Sequence, residues 1–105
     1  MSNKDKGMVK LESGRKVKLK EMSVDEIDYC TDIVVMEYEN GEAKVIKNMA
    51  KARTAWIRRG VSGGDFNSFE LTRKGLLSDE TIKEMNENEK VDLCLHIQDY
   101  QKLGE

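Results

Sequence analysis

Few side chains in this 105-residue chain have the types and spacing that chemistry requires. Cys94 and His96 form a Cys-x-His pair, and Cys30 is the second of two thiols. A structural zinc site needs four ligands, usually with close pairs such as Cys-x-x-Cys. Residues two apart on a helix point to different sides, so the ligands of a Cys94–His96 pair would diverge. The spacing therefore predicts no metal site. Because both cysteines stand among apolar residues, we expect them to act as small apolar side chains.

His96 is the only histidine and could in principle serve as a general base near neutral pH. The sequence pairs it with no nucleophile, so we expect a solvated residue on the polar face of a helix. The glycine-rich segment Ser62–Phe66 lacks the G-x-x-x-x-G-K-[ST] spacing that cradles phosphate, and Asp65 would repel one. We therefore predict a loop there, no catalytic residue, no cofactor and no enzymatic activity.

Basic residues concentrate between positions 43 and 60, a block without any acid. Lys44, Lys47, Lys51 and Arg58 would form one stripe if this block were a helix, and such a stripe could meet phosphates. The overall pI of about 5.5 argues against this interpretation, because nucleic-acid-binding domains usually have a pI above about 9. A nucleic-acid-binding regulator that uses the basic helix 43–59 is kept as an alternative.

The formal charge of −2, from 18 basic and 20 acidic residues, hides a strong segregation of charge. Residues 1–20 are mainly basic, 21–42 contain acids and no base, and 78–105 are mainly acidic. Neighbouring blocks alternate in sign, so the elements that they form can attract one another within the fold. An external charged partner for one block is the other interpretation.

The N-terminal part predicts a β-hairpin that follows a disordered segment, residues 1–7. Apolar residues alternate with lysines on both sides of the turn signal Ser13-Gly14-Arg15. A two-stranded hairpin is marginal by itself, so its apolar face must pack on helices or on another chain. The apolar face would consist of Val9, Leu11, Val17 and Leu19.

The remainder predicts helices separated by glycine and asparagine. Ser23 and Glu26 form a capping-box pattern, which predicts the start of a helix. Gly60 directly follows two arginines, which predicts the end of another helix. The segment 61–77 is expected to be irregular, with a short extended piece at 69–72. The predicted fold is α+β: a small, mostly helical domain of three to four helices with an N-terminal β-hairpin, over residues 8–105. The predicted helices are residues 23–38, 43–59, 78–85 and 89–103.

The length suits one domain and excludes large enzyme folds such as the α/β barrel, which needs about 250 residues. No stretch of 18 apolar residues is present, so we expect no transmembrane helix. The first residues lack the apolar core of a signal peptide, which predicts a cytoplasmic protein, in the host cytoplasm if the chain is viral.

The segment from Gly14 to Ser23, followed by Asp25-Glu26 and a helix, resembles the tail assembly chaperones of tailed bacteriophages. The shared pattern is G-x-x-V-x-L-x-x-x-S/T leading into a helix with an acidic first turn, and it covers the first third of the chain. The resemblance implies a non-enzymatic protein that binds the tape-measure or tail-tube protein before assembly. It transfers no functional residue, because that family has no short fixed motif.

These patterns together favour a protein-binding assembly factor or adaptor that resembles a phage tail assembly chaperone. Its partner would be a tail or other virion protein, a second copy, or both. A small structural component of the virion, in the tail or at the head–tail junction, is an alternative. The predicted partner-binding residues are Val9, Leu11, Val17 and Leu19 of the hairpin face and Lys44, Lys47, Lys51 and Arg58 of the basic stripe.

Overall fold

The structure is a computed structural model that describes residues 7–103. It confirms the predicted α+β class, with an N-terminal β-hairpin and four helices in the described range. None of these helices is both long enough and apolar enough to cross a bilayer. The strands are β1 (Met8–Lys10), β2 (Lys16–Leu19), β3 (Val35–Glu39), β4 (Glu42–Lys47) and β5 (Val61–Gly64), and the helices are α1 (Val24–Ile33), α2 (Met49–Gly60), α3 (Asp79–Ile82) and α4 (Glu87–Leu103).

The predicted hairpin is β1–β2, and it is extended by a third strand that the sequence did not predict. The sheet order is β1-β2-β5, with both pairs antiparallel and Leu19 opposite Val61. A Cβ atom at Gly64 would lie 2.7 Å from the Lys16 carbonyl oxygen, so the glycines that suggested a loop permit close strand contact. Residues 1–6 of the predicted disordered segment lie outside the described residues, whereas the Gly7 carbonyl accepts a hydrogen bond from the Leu19 amide at 2.7 Å.

The core lies between one face of this sheet and the helices. Trp56 belongs to it, and so do Cys30 and Cys94, which were predicted to act as small apolar residues. Helices α2 and α4 approach closely at Gly60, where a Cβ atom would lie 2.5 Å from Ile97 Cγ2. The residues with the least exposure are Leu11, Val17, Cys30, Ile57, Val61, Leu77, Thr81, Leu93 and Ile97.

The predicted helices 23–38 and 43–59 are wrong over residues 34–47, which form a second β-hairpin. Helix α1 ends at Ile33 and α2 begins at Met49, with β3 and β4 paired between them. Asn40 and Gly41 have φ of 54° and 83°, the left-handed pair that a tight two-residue hairpin turn requires. β-Branched residues at 33–35 and the alternation around Asn-Gly therefore outweigh the helical spacing of apolar residues.

The C-terminal third agrees with the predicted elements, except that the helix predicted over 78–85 ends at Ile82. Helix α3 is short, with Ser78 as its N-cap, and an isolated bridge between Leu71 and Leu77 provides the extended contact near 69–72. Helix α4 starts two residues before the predicted position. Asn86 caps it, since the Asn86 side chain accepts from the Glu89 amide at 2.8 Å and the Glu89 carboxylate accepts from the Asn86 amide at 3.1 Å.

Candidate protein-binding site

The β3–β4 hairpin projects from the domain. Every residue from Val35 to Lys47 is exposed. The radius of gyration is 14.7 Å, above the value of about 13 Å expected for a compact domain of this length, and the longest dimension is 49 Å. The chain thus maintains a two-stranded element with little cover of its own.

The two faces of this hairpin differ in chemistry. Cross-strand pairs share a face, so Met36 lies beside Ile46 and Tyr38 beside Ala43, and the Tyr38 hydroxyl contacts the Met36 sulfur at 3.3 Å. These four residues are the apolar hairpin face. The opposite face, the polar hairpin face, consists of Val35, Glu37, Glu39, Glu42, Val45 and Lys47, with an ion pair of 2.5 Å between Lys47 and Glu37.

An apolar groove continues from the base of the hairpin between α1, α2 and α4. It comprises two adjoining cavities of about 600 and 280 Å³ that share Val34, Trp56 and Gln98. Met36 lines the larger cavity, so the apolar hairpin face and the groove form one surface. The other lining residues are Ile27, Cys30, Thr31, Met49, Ala52, Arg53, Val91, Cys94, Leu95, Gln101 and Lys102.

Large apolar side chains at the edge of the groove are open to solvent. Met49 is 60% exposed, Leu95 58% and Val91 44%. Together with the apolar hairpin face they make a contiguous apolar region, which on a small protein is typical of a binding surface. The titratable side chains that line the groove, thiols apart, are Arg53 and Lys102, both cationic.

The base of the hairpin is fixed to the domain by one side-chain hydrogen bond. Asn48 adopts a left-handed conformation with φ of 67° directly before α2. Its side-chain amide donates to the Ile33 carbonyl at 3.1 Å, which satisfies a carbonyl at the end of α1. The two chain segments that enter and leave the hairpin are thereby held together beside Val34, which lines both cavities.

The two cysteines lie in the wall of the groove as protonated thiols. Burial raises the pKa of the Cys94 thiol to about 11, and burial also raises the pKa of Cys30. Thiolates, which would be needed for metal ligation or nucleophilic attack, are therefore disfavoured. Within residues 7–103 no group of acidic, histidine and cysteine side chains is arranged to hold a metal ion. His96 is half-buried, with Nε2 3.4 Å from Asp92 Oδ1.

The predicted partner face of the N-terminal hairpin is covered by the chain itself. Leu11, Val17 and Leu19 are buried in the core, and Val9 is partly buried against it. The sequence left open whether helices or another chain would pack on this face. In the structure, β5 extends the sheet and the helices of the same chain cover the face. This face is therefore not available to a partner, which corrects the prediction.

The predicted basic stripe is not formed, because its members lie on different elements. Lys44 and Lys47 are on β4, whereas Lys51 and Arg58 are on α2. Arg58 is engaged within the domain, because it donates one hydrogen bond to the Leu77 carbonyl at 2.7 Å and another to the Asp79 carboxylate. The hydrogen bond to Asp79 lowers the pKa of that carboxyl. The surface on which the nucleic-acid alternative depended is thus absent from the described residues.

Sequence reasoning missed the residues that form the exposed apolar surface. Met36, Tyr38 and Ile46 were assigned to helices, although the Asn40-Gly41 dipeptide between alternating segments was a hairpin signal. Val91 and Leu95 lie in the last predicted helix, 89–103, whose apolar residues are spread around more of its circumference than one core-facing stripe; that breadth was the available signal of an uncovered apolar face.

Comparison of the chain with protein-family models, with characterised proteins and with solved structures gave no match. The functional argument therefore depends on the geometry and chemistry of the surface described above.

Proposed function

We propose that this chain is a non-enzymatic protein-binding assembly factor or adaptor that works through the apolar groove and the apolar hairpin face. The observation that carries the proposal is the continuity of exposed apolar side chains from Tyr38 and Ile46, through Met36, to Leu95. Contiguous apolar surface costs free energy when it is left in water, at roughly 25 cal/mol per Å², and a bound protein removes that cost.

The form of the hairpin supports the same function. A two-stranded ribbon with no cover is marginally stable in water, and both of its outer edges carry unpaired backbone groups. Chains usually protect such edges, whereas this one extends the ribbon by five and six residues on its two strands. A partner that covers the ribbon offsets the cost of leaving it exposed.

The partner that we propose is a tail-tube or tape-measure protein of a tailed bacteriophage, which the chain would bind in the host cytoplasm before assembly. The resemblance of residues 14–26 to tail assembly chaperones supports this choice. Proteins of that class act by contact with a client, which agrees with a surface built from apolar side chains and two cations.

Co-expression with the tail-tube and tape-measure proteins encoded in the same genome tests the proposal. We expect a stable complex that is lost when Leu95→Asp places a charge at the edge of the groove. The matched control is Val24→Asp, because Val24 is also exposed but lies at the first position of α1, where an acid is well tolerated.

Failure of both tail proteins to bind, or equal loss of binding in the two variants, would contradict the proposal. Mass spectrometry of purified particles separates a chaperone from a virion component. The chaperone function predicts that the chain is absent from mature particles, and its presence there at stoichiometric level would support the structural alternative instead.

A further inference from the structure

A separate cavity of about 430 Å³, the cationic pocket, opens between α1, α2 and the segment that precedes α3. It shares no lining residue with the apolar groove, because α2 turns a different side to each of them. Within residues 7–103 its lining contains three cations of α2 and no acid. The lining residues are Tyr29, Ile33, Lys51, Thr54, Ala55, Arg58, Arg59 and Leu76.

Two of the three cations in the cationic pocket have no carboxylate partner in the described part of the chain. Arg58 is neutralised by Asp79, whereas neither Lys51 nor Arg59 forms an ion pair there. Arg59 is half-buried, and every other half-buried arginine between residues 7 and 103 pairs with an acid. The pocket therefore lacks the counter-charge that the chain supplies elsewhere.

The guanidinium of Arg59 is oriented for a ligand by two contacts. It stacks on Tyr29, with Cζ 4.4 Å from the ring centre, and it donates a hydrogen bond to the Ala55 carbonyl at 3.2 Å. These contacts use one face of the guanidinium and one of its five N–H donors, so other donors are available to an anion. Phosphate suits such a group, because its oxygens accept several charge-assisted hydrogen bonds at once.

The rest of the pocket wall is apolar. Ile33, Ala55 and Leu76 line it beside the Tyr29 ring. The volume lies within the range of about 300–1,000 Å³ that is typical of small-molecule sites. An inorganic anion would contact the cations and leave the apolar wall in water, so the better ligand also carries an organic group.

We propose that the cationic pocket binds a small organic phosphate monoester, with its phosphate at Lys51 and Arg59 and its organic group against Ile33 and Leu76. A phosphate monoester carries a charge of about −1.5 to −2 near pH 7, which matches the two unpaired cations. A long polyanion is disfavoured, because α1 forms one wall and carries exposed acids and no base. The pocket is distinct from the apolar groove, so this inference goes beyond the proposed function.

Isothermal titration calorimetry with phenyl phosphate at constant ionic strength tests the charge and the shape of the ligand. We expect one saturable site with a dissociation constant of about 1 mM or below. Benzenesulfonate has the same ring with a single charge, and inorganic phosphate has the charge without the ring. Each of them should bind at least about tenfold more weakly than phenyl phosphate.

Two substitutions in the pocket test its position. Lys51→Gln and Arg59→Gln should each weaken phenyl phosphate binding at least about tenfold. Lys44→Gln is the matched control, since it removes the same charge from an exposed lysine of β4 that does not line the pocket. Lys51 is also exposed, so Lys51→Gln tests the site even if Arg59→Gln loses stability with its Tyr29 contact.

No saturable binding up to about 20 mM would overturn the proposal. So would equal affinities for phenyl phosphate and either reference anion, or equal weakening by Lys51→Gln and Lys44→Gln. The peptide Ala-Ala-phosphotyrosine-Ala-Ala and oligothymidylate test macromolecular sources of the phosphate. Tighter binding of either one than of phenyl phosphate would overturn the small-molecule assignment, and weaker binding of both would support it.

Discussion

The two hairpins of this chain have the same topology and opposite environments. In β1–β2, alternation places Val17 and Leu19 in the core and lysines in solvent. In β3–β4, the alternation is equally clear, but every residue of both strands is exposed. The first hairpin gains a third strand and a helical cover, and the second gains neither. Alternation thus determines that a strand forms, whereas burial depends on which other elements reach one of its faces.

The attachment of the two hairpins differs in the same way. Arg15, in the turn of the first, forms an ion pair of 2.8 Å with buried Glu89, donates to the Asp65 carbonyl at 2.6 Å, and lies 5.1 Å from the centre of the Phe66 ring. The second hairpin has the exposed Lys47–Glu37 pair and the hydrogen bond at Asn48. We therefore expect the first hairpin to unfold with the domain and the second to open independently.

Two isoleucines give the largest contrast between the core and the second hairpin. Ile57→Ala removes a fully buried side chain and should lower the free energy of unfolding by about 3–4 kcal/mol. Ile46→Ala, at an exposed position, should lower it by less than about 0.5 kcal/mol. Urea denaturation measures both. A similar loss in the two variants would show that the second hairpin is part of the cooperative unit.

A pair of cation substitutions gives the next largest contrast. Arg15→Ala leaves the carboxylate of Glu89 buried without its guanidinium and should cost about 2–3 kcal/mol. Lys47→Ala removes an exposed ion pair and should cost at most about 0.5 kcal/mol. Thermal denaturation followed by circular dichroism is the measurement. Equal shifts of the melting temperature would mean that Arg15 does not anchor the first hairpin.

Acid should weaken the domain through the same carboxylate. The hydrogen bond from Arg15 lowers the pKa of Glu89 below its usual value in the folded state. Its contribution to stability is therefore complete above the pKa of the unfolded state and is lost as the pH falls through the folded pKa. Glu89→Gln should be less stable near neutrality and should decline less steeply below about pH 5. Asp28→Asn, at an exposed position of α1, is the control, and an unchanged slope for Glu89→Gln would contradict this assignment.

The sequence predicted the parts of the fold that local signals specify. The Ser23–Glu26 capping box starts α1, and the alternation around Gly14 produces β1–β2, as expected. β5 was missed because Ser62-Gly63-Gly64 has little strand propensity by itself and is ordered by pairing with β2, more than 40 residues away in sequence.

The proposed binding surface could not be predicted for a related reason. Val34 and Tyr38 satisfy helical spacing, whereas Val34, Met36 and Tyr38 satisfy strand alternation, and the Asn40-Gly41 turn distinguishes the two. Leu95 and Leu93 belong to the same apolar stretch of α4, yet one is 58% exposed and the other fully buried. Which of them is covered depends on which face of α4 packs against α2, and no local pattern contains that information.

Two glycines provide the smallest and most selective contrast. Gly41 and Gly75 have nearly the same positive φ, 83° and 79°, and a Cβ atom would meet nothing within 4 Å at either position. Alanine should therefore cost about 1 kcal/mol of backbone strain at both sites, with no steric clash at either. They differ in what the turn is attached to. The Gly75 turn leads directly into buried Leu77, whose amide donates to the Arg58 carbonyl at 3.0 Å, whereas the Gly41 turn joins two exposed strands.

Gly75→Ala should consequently lower global stability by about 1 kcal/mol, because its strain is relieved when the domain unfolds. Gly41→Ala should leave global stability nearly unchanged, because the second hairpin can open and release the strain while the core stays folded. Native-state hydrogen exchange should then show faster exchange of the β3 and β4 amides in Gly41→Ala, with unchanged protection in β2 and α4. If Gly41→Ala instead lowers the protection of β2, the two hairpins are coupled and the separation between anchored and projecting elements does not hold.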